Sequence, residues 1–495
     1  MFDFRSFIEF WKYDPETPLL FTSKGFLLMF VAFLLVYNLL KNNFNIRIIY
    51  VTAFSIYFYY LTSGLYFWLL ILMSVTDFSL GYFINKEEFD KSKKRLLLVF
   101  SLCIDLGLLF YFKYTNFLLE MLQSMFSDDP FKAKDIFLPV GISFFTFQSL
   151  SYTIDIYRGQ LKPTEKWIDY LFYLSFFPQL VAGPIVRAKD FLPQIYHKMF
   201  PTRRMFNFGL ILILMGLFKK AIVSDYIGIN FVDRVFDGPL LYSGFENLMA
   251  IYGYAIQIYC DFSGYSDIAA GIALMLGFKF PENFHFPYQA TSITDFWHRW
   301  HISLSLWLKD YLYISLGGNK KGLTRTYVNL LLTMVIGGLW HGAALRFIIW
   351  GGLHGIALCI HKFILNIKHD MGVPAEELTG WKKFISTFLT FNFICFCWIF
   401  FRANNMEVVR DMLNQIFTSM QTLMIPTFIA SYWKVFLLAI IAYVGHFLPY
   451  RIHEKIRIKA FELPVLVKIA LCILVIYIAV LFQNGDVQPF IYFQF

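Results

Sequence analysis

Apolar residues in this chain gather into runs of about 20 separated by short polar stretches, and an α-helix needs about that length to cross a hydrocarbon layer. The pattern predicts a first span at about Gly25–Leu40. A second and third fill Ile48–Ile84, with Thr62-Ser63-Gly64 as the turn between them. Arg95–Leu122 is apolar again, longer than one straight span and interrupted by Asp105 and Lys113, and Ser127-Asp128-Asp129-Pro130 ends it. Later spans fall at about Phe206–Ile222, Asn247–Leu276, Tyr327–Trp340, Phe347–Leu365, Phe384–Phe401, Trp433–Leu448 and Val465–Leu481. Two stretches do not read as plain lipid-facing helices. Pro139–Gly159 is rich in Ser and Thr, which suits close helix packing or the wall of a wet cavity. Phe176–Arg187 (FFPQLVAGPIVR) predicts a broken or re-entrant helix, tolerated where protein or water satisfies the freed backbone.

The result is an all-α polytopic membrane protein of about eleven to thirteen spans and half-spans. Residues 1–24, with aromatic residues interleaved among charges, read as an interfacial segment. The transmembrane domain covers 25–483, and 484–495 form an aromatic tail. Composition agrees with this class. Hydrophobic residues make up 58% of the chain and charged ones 16%, against roughly 25% charged in soluble domains. The net charge of +9 sits in short loops between spans, so it signals cytoplasmic loops and not nucleic acid. Asn85–Arg95 and Arg451–Lys459 are the strongest such loops, Lys41–Arg47 agrees with them, and both termini are then extracytoplasmic. The six cysteines lie almost entirely in apolar segments and read as small packing residues, with no disulfide framework. Asp3, Glu9, Asp14 and Glu16 precede the first apolar run, unlike a cleavable signal peptide.

Candidate chemistry concentrates in Asp295–Ala343, which holds His298, His301 and His341, four tryptophans and a Gly-Gly turn. His341 ends a nearly uncharged run, and an ionisable group at membrane depth is a functional candidate. It is either a histidine hydrogen-bonded inside a bundle or a general base, since a neutral imidazole in an apolar pocket can take a proton. The flanking glycines admit close approach of another backbone or of an acyl chain. His301 is a second catalytic group, an orienter, or an interfacial residue beside Trp297, Trp300 and Trp307. His298 and His354 raise a metal site. The H-x-x-H spacing differs from the i, i+4 pair of helical zinc sites, and no acidic ligand adjoins it. Asp261 and Asp267 do not share a helical face, and neutralisation by nearby Lys or Arg competes with catalysis. Phosphate loops, dinucleotide fingerprints and the G-x-S-x-G elbow are lacking.

The sequence FWHRWHISLS, a Gly-Gly turn and then GLWHG resembles the membrane-bound O-acyltransferases, in particular the bacterial branch of alginate O-acetylases and peptidoglycan O-acetylation proteins. Thr76–Ile84, Pro139–Gly159, Phe176–Arg187, Asp261–Phe278 and Phe401–Val409 fit the same pattern. The resemblance implies a ring of helices around a thinned centre pierced by a tunnel. It places His341 as the catalytic histidine and His301 as its partner. His298 departs from the Arg or Asn expected there, and carries no catalytic role. The implied function is transfer of an acyl group, acetyl in the first instance, from a cytoplasmic thioester toward an exported polysaccharide. No bound cofactor and no metal are expected. Acetyl-CoA or another acyl thioester is the donor, and an SGNH-type extracytoplasmic acetyltransferase or esterase is the partner. D-alanyl transfer to teichoic acid is the competing enzyme reading, and a transporter or channel with pore-lining histidines is the alternative from another class. Tyr492 in the tail is either part of an aromatic anchor or an acyl relay that needs a base such as His341, since a phenol ionises only near ~10.

Overall fold

The computed structural model describes residues 11–15, 19–40, 42–126, 132–180, 183–197, 200–373 and 378–482. Helices make up its regular structure, and the described residues contain no strand. Five helices are long and apolar enough to cross a membrane: Phe44–Asn85, Lys91–Phe126, Arg203–Asp237, Leu345–Asp370 and Gly380–Arg402. Two further pairs, Thr422–Ser431 with Trp433–Phe447 and Tyr450–Glu462 with Val465–Ile478, are bent by 87° and 113°, and bring the number to seven if each pair is one span. Many of the segments expected from the sequence are therefore shorter or bent helices. The chain is a multi-pass α-helical membrane protein.

The chain divides into two compact units, one formed by the described residues of Met1–Ile213 and Ile268–Pro281, the other by those of Leu214–Asp267 and Glu282–Phe495. In the first, Gly64 takes φ +61° where the Thr-Ser-Gly turn was expected, a conformation glycine reaches without a Cβ penalty. The Ser/Thr-rich segment is the helix Ile142–Tyr157, buried at nearly every position. Its hydroxyls serve close packing: Ser149 Oγ bonds Asp105 Oδ2 at 2.7 Å and also the Asp77 carboxylate, while Ser101 Oγ donates to Asp77 at 3.0 Å. The helix is interrupted as expected at the Pro-containing segment, where Trp167–Ser175 ends at Phe176 and only the short Phe177–Leu180 follows. Side chains satisfy the freed backbone. Ser55 Oγ accepts from Phe177 N at 3.2 Å, and Tyr173 OH donates to the Val186 carbonyl at 2.9 Å. Phe177 anchors the break in an aromatic core with Phe21, Phe26, Phe30, Phe33, Phe54 and Phe58.

Two sequence readings are corrected. Asn85–Arg95 is not all loop, because a helix resumes at Lys91. Arg451–Lys459 is not a loop but the body of the helix Tyr450–Glu462. Ile452 and Ile456 fall four residues apart on one face, and Arg457 bonds Glu454 at 2.7 Å, both features of a surface helix.

Candidate active site

The site lies within the second unit and rests on glycine-mediated helix packing. Leu323–His341 ends at His341, and after a short extended link Leu345–Asp370 begins. A Cβ on Gly338 would fall on the Phe347 carbonyl oxygen, and one on Gly351 would fall on that of Met334. The close approach that glycine permits at Gly338 is thus to another helix backbone. This packing holds His341, 4% exposed, against Trp340, Trp350 and Phe401 at ring-centroid distances of 4.9, 5.1 and 5.2 Å.

His301 arrives from a different element. Ser292 caps the helix Ile293–Arg299 by accepting from Asp295 N at 3.2 Å, and Arg299 Nε bonds Asp295 at 2.7 Å. The chain then turns at His301 itself, whose φ is +41°. A non-glycine residue in that region is uncommon and is held there by its surroundings. Ile302 N donates to the Asn283 carbonyl at 2.9 Å, and the His301 carbonyl accepts from Ser305 N at 3.0 Å, starting the helix Ile302–Trp307. The imidazole is fully buried, with Phe262 at 4.5 Å and Trp340 at 6.3 Å between ring centroids. Trp340 therefore contacts both histidines. His301 lies on a connection outside the candidate spans. Desolvation pushes its pKa down to about 3, so it is neutral at physiological pH.

Other residues singled out in the sequence go elsewhere. His298 is exposed. His354 is fully buried against Trp350 at 4.7 Å and Trp297 at 5.2 Å, so it shares Trp350 with His341. Asp261 and Asp267 are each met by a lysine: Lys220 Nζ lies 2.5 Å from Asp261 and 2.8 Å from Asp225, and Lys219 Nζ lies 2.5 Å from Asp267. Among the described residues no group of three or more His, Cys, Asp or Glu is arranged to hold a metal ion. Tyr492 and the rest of the tail lie outside the described residues. Trp350, Trp398 and Asn283 were not singled out from the sequence, and Phe401 entered only as the first residue of the motif Phe401–Val409. Trp350 and Trp398 stack at 6.1 Å inside the unit, and the tryptophans expected at an interface, Trp297, Trp300 and Trp307, are buried as well.

Two buried imidazoles border one tryptophan here, and burial keeps that of His301 neutral. The family model of the membrane-bound O-acyltransferases matches residues 56–406, most of the chain. The chain belongs to the membrane-bound O-acyltransferase family. It is 38% identical to a protein named probable alginate O-acetylase AlgI from Pseudomonas aeruginosa, over 81% of this chain and 75% of the relative. It is 37% identical to a peptidoglycan O-acetyltransferase from Helicobacter pylori, over 73% and 72%. A teichoic acid D-alanyltransferase from Bacillus subtilis is 29% identical over 52% of this chain and 67% of the relative. The protein is an integral-membrane O-acyltransferase, and the buried histidines described above lie inside the matched region.

Proposed function

We propose that this membrane-bound O-acyltransferase moves an acetyl group from an acyl thioester, acetyl-CoA or a carrier-bound equivalent, toward O-acetylation of an exported cell-surface polysaccharide. The observation that carries the reading is the pair of buried imidazoles, His301 and His341, both beside Trp340. A hydroxyl oxygen attacks the thioester carbonyl while a ring nitrogen of His341 takes its proton. The new C–O bond forms, the C–S bond breaks, and the proton passes from His341 to the leaving thiolate. His301 orients His341 or the donor. The greater identity and coverage of the O-acetylating relatives favour acetyl over D-alanyl transfer. On this reading the protein sits in a bacterial cytoplasmic membrane, with the basic segments 86–95 and 451–459 inside. An SGNH-type partner outside completes delivery to the polymer.

His341→Ala tests the assignment. Cells carrying it lose polymer O-acetyl groups while the solubilised protein elutes as wild type; normal acetylation in the variant would sink the assignment. We further propose that Tyr492 relays the acetyl group, its phenol attacking as above and a partner later removing the ester. Tyr492→Phe keeps the anchoring ring and deletes the oxygen, so the relay predicts lost polymer acetylation. Wild-type acetylation by that variant leaves the tail as an anchor only.

A further inference from the structure

Asn283 lies in the loop sequence PENFHFPY, outside the sequence motifs that carry the family resemblance, and it is buried at 4% exposure. Its amide orientation follows from its neighbours. Backbone Ser303 N–H can only donate, and it lies 3.2 Å from Oδ1, so that atom is the carbonyl oxygen. The other end agrees, because Nδ2 donates to Ser266 Oγ at 3.0 Å. His301 Nδ1 lies 3.2 Å from the same Oδ1. An oxygen acceptor there requires the imidazole to donate. The competing arrangement has the Ser303 hydroxyl donating to His301 Nδ1. The distances decide against it: 3.5 Å to the imidazole against 2.8 Å to Asn283 Oδ1. The hydroxyl is therefore engaged by the amide.

We infer that Asn283 is a positioning residue that fixes His301 as the Nδ1–H tautomer and leaves the Nε2 lone pair as its working face. Nε2 is buried and has no hydrogen-bond partner among the described residues, which is unusual for a buried polar atom and suits one that meets a substrate group or a proton. Burial keeps the ring neutral, so it carries one N–H, and the side on which that hydrogen sits decides what the other nitrogen can do. Asn283 also fixes the ring's backbone, since its carbonyl accepts from Ile302 N beside the left-handed turn. Two nearby groups hold the amide in turn: Ser303, and Ser266 on the helix Gly244–Met275. The inference rests on the acyl-transfer reading given above.

The test uses the full chain in lipid nanodiscs, following thiol release from acetyl-coenzyme A. Asn283→Leu removes the acceptor and should lower kcat about 100-fold, the scale of one acid–base contribution, with KM little changed. Asn283→Asp keeps an acceptor at the same place and should restore most of the rate. Its carboxylate also favours the imidazolium, so the acid limb of its pH–rate profile should lie above that of the wild type. Wild-type kcat in Asn283→Leu overturns the inference. So does a folded Asn283→Asp that is as slow as Asn283→Leu, or one whose profile does not move; if Asn283→Leu elutes as misfolded, Asn283→Asp alone decides. His341→Ala runs beside them. Turnover surviving in that control fails the acyl-transfer reading, whereas a dead control with indifferent Asn283 variants fails only this inference.

Discussion

The helix Gly244–Met275 carries two kinds of polar surroundings at neighbouring positions. At Asp261 and Asp267 every charge meets an opposite one: Lys220 binds Asp261 and Asp225, and Lys219 binds Asp267 and donates to Ser263 Oγ at 3.0 Å. At Phe262 and Ser266 the same helix borders His301 and Asn283, where His301 Nε2 is left without a hydrogen-bond partner among the described residues. A buried charge without a counter-charge is costly, so the carboxylates are tolerated because they are paired. A neutral imidazole costs much less to bury, so one nitrogen can be left open for a substrate. Ionisable residues in an apolar helix thus divide by what their neighbours leave over. Paired groups hold the fold, and groups with spare capacity are the candidates for chemistry.

Substitutions can break this comparison, and the largest effect is expected at Lys220. Its side chain is 1% exposed between two carboxylates, so Lys220→Met removes the cation they share and should cost about 3–5 kcal/mol, read as a lowered thermal midpoint in detergent. An unchanged midpoint would mean that the triad is not what stabilises this region. Gly338→Ala comes next. The new methyl meets the Phe347 carbonyl and the Gly351 backbone, forcing the two helices apart for about 1–3 kcal/mol. Because His341 ends one of those helices, transfer should fall along with stability, and a variant with wild-type melting and activity would show that the contact is dispensable. Lys219→Met should do least. Lys219 and Asp267 are 20% and 26% exposed, and a pair open to that extent contributes up to about 1 kcal/mol. A loss as large as that at Lys220 would erase the distinction by burial.

Much of this was legible in the sequence, for reasons that particular residues make plain. Apolar periodicity located the helices to within a few residues, as at Leu345–Asp370 and Gly380–Arg402, because lipid-facing and buried positions are both apolar. The Pro-rich break at Phe177 and the glycine turn at Gly64 were readable from backbone chemistry alone. His341 and His301 stood out as ionisable groups among tryptophans. Asn283 did not, since a loop asparagine has no periodic signature, and its role comes from a backbone N–H 20 residues away. Lys219 and Lys220 did not stand out either, because Asp261 and Asp267 lie more than 40 residues further along. Arg451–Lys459 was read as a loop because its charge outweighed the weaker apolar spacing of Ile452 and Ile456.

The most direct test places His341→Ala and Lys220→Met side by side, with thermal unfolding and acyl transfer measured on the same preparations. The account predicts a crossover. His341→Ala should melt with the wild type and transfer roughly 10²–10⁴-fold more slowly, whereas Lys220→Met should melt lower and retain transfer in whatever fraction stays folded. A histidine variant that melts low while its folded fraction still transfers, or a lysine variant that melts normally and transfers nothing, would contradict it.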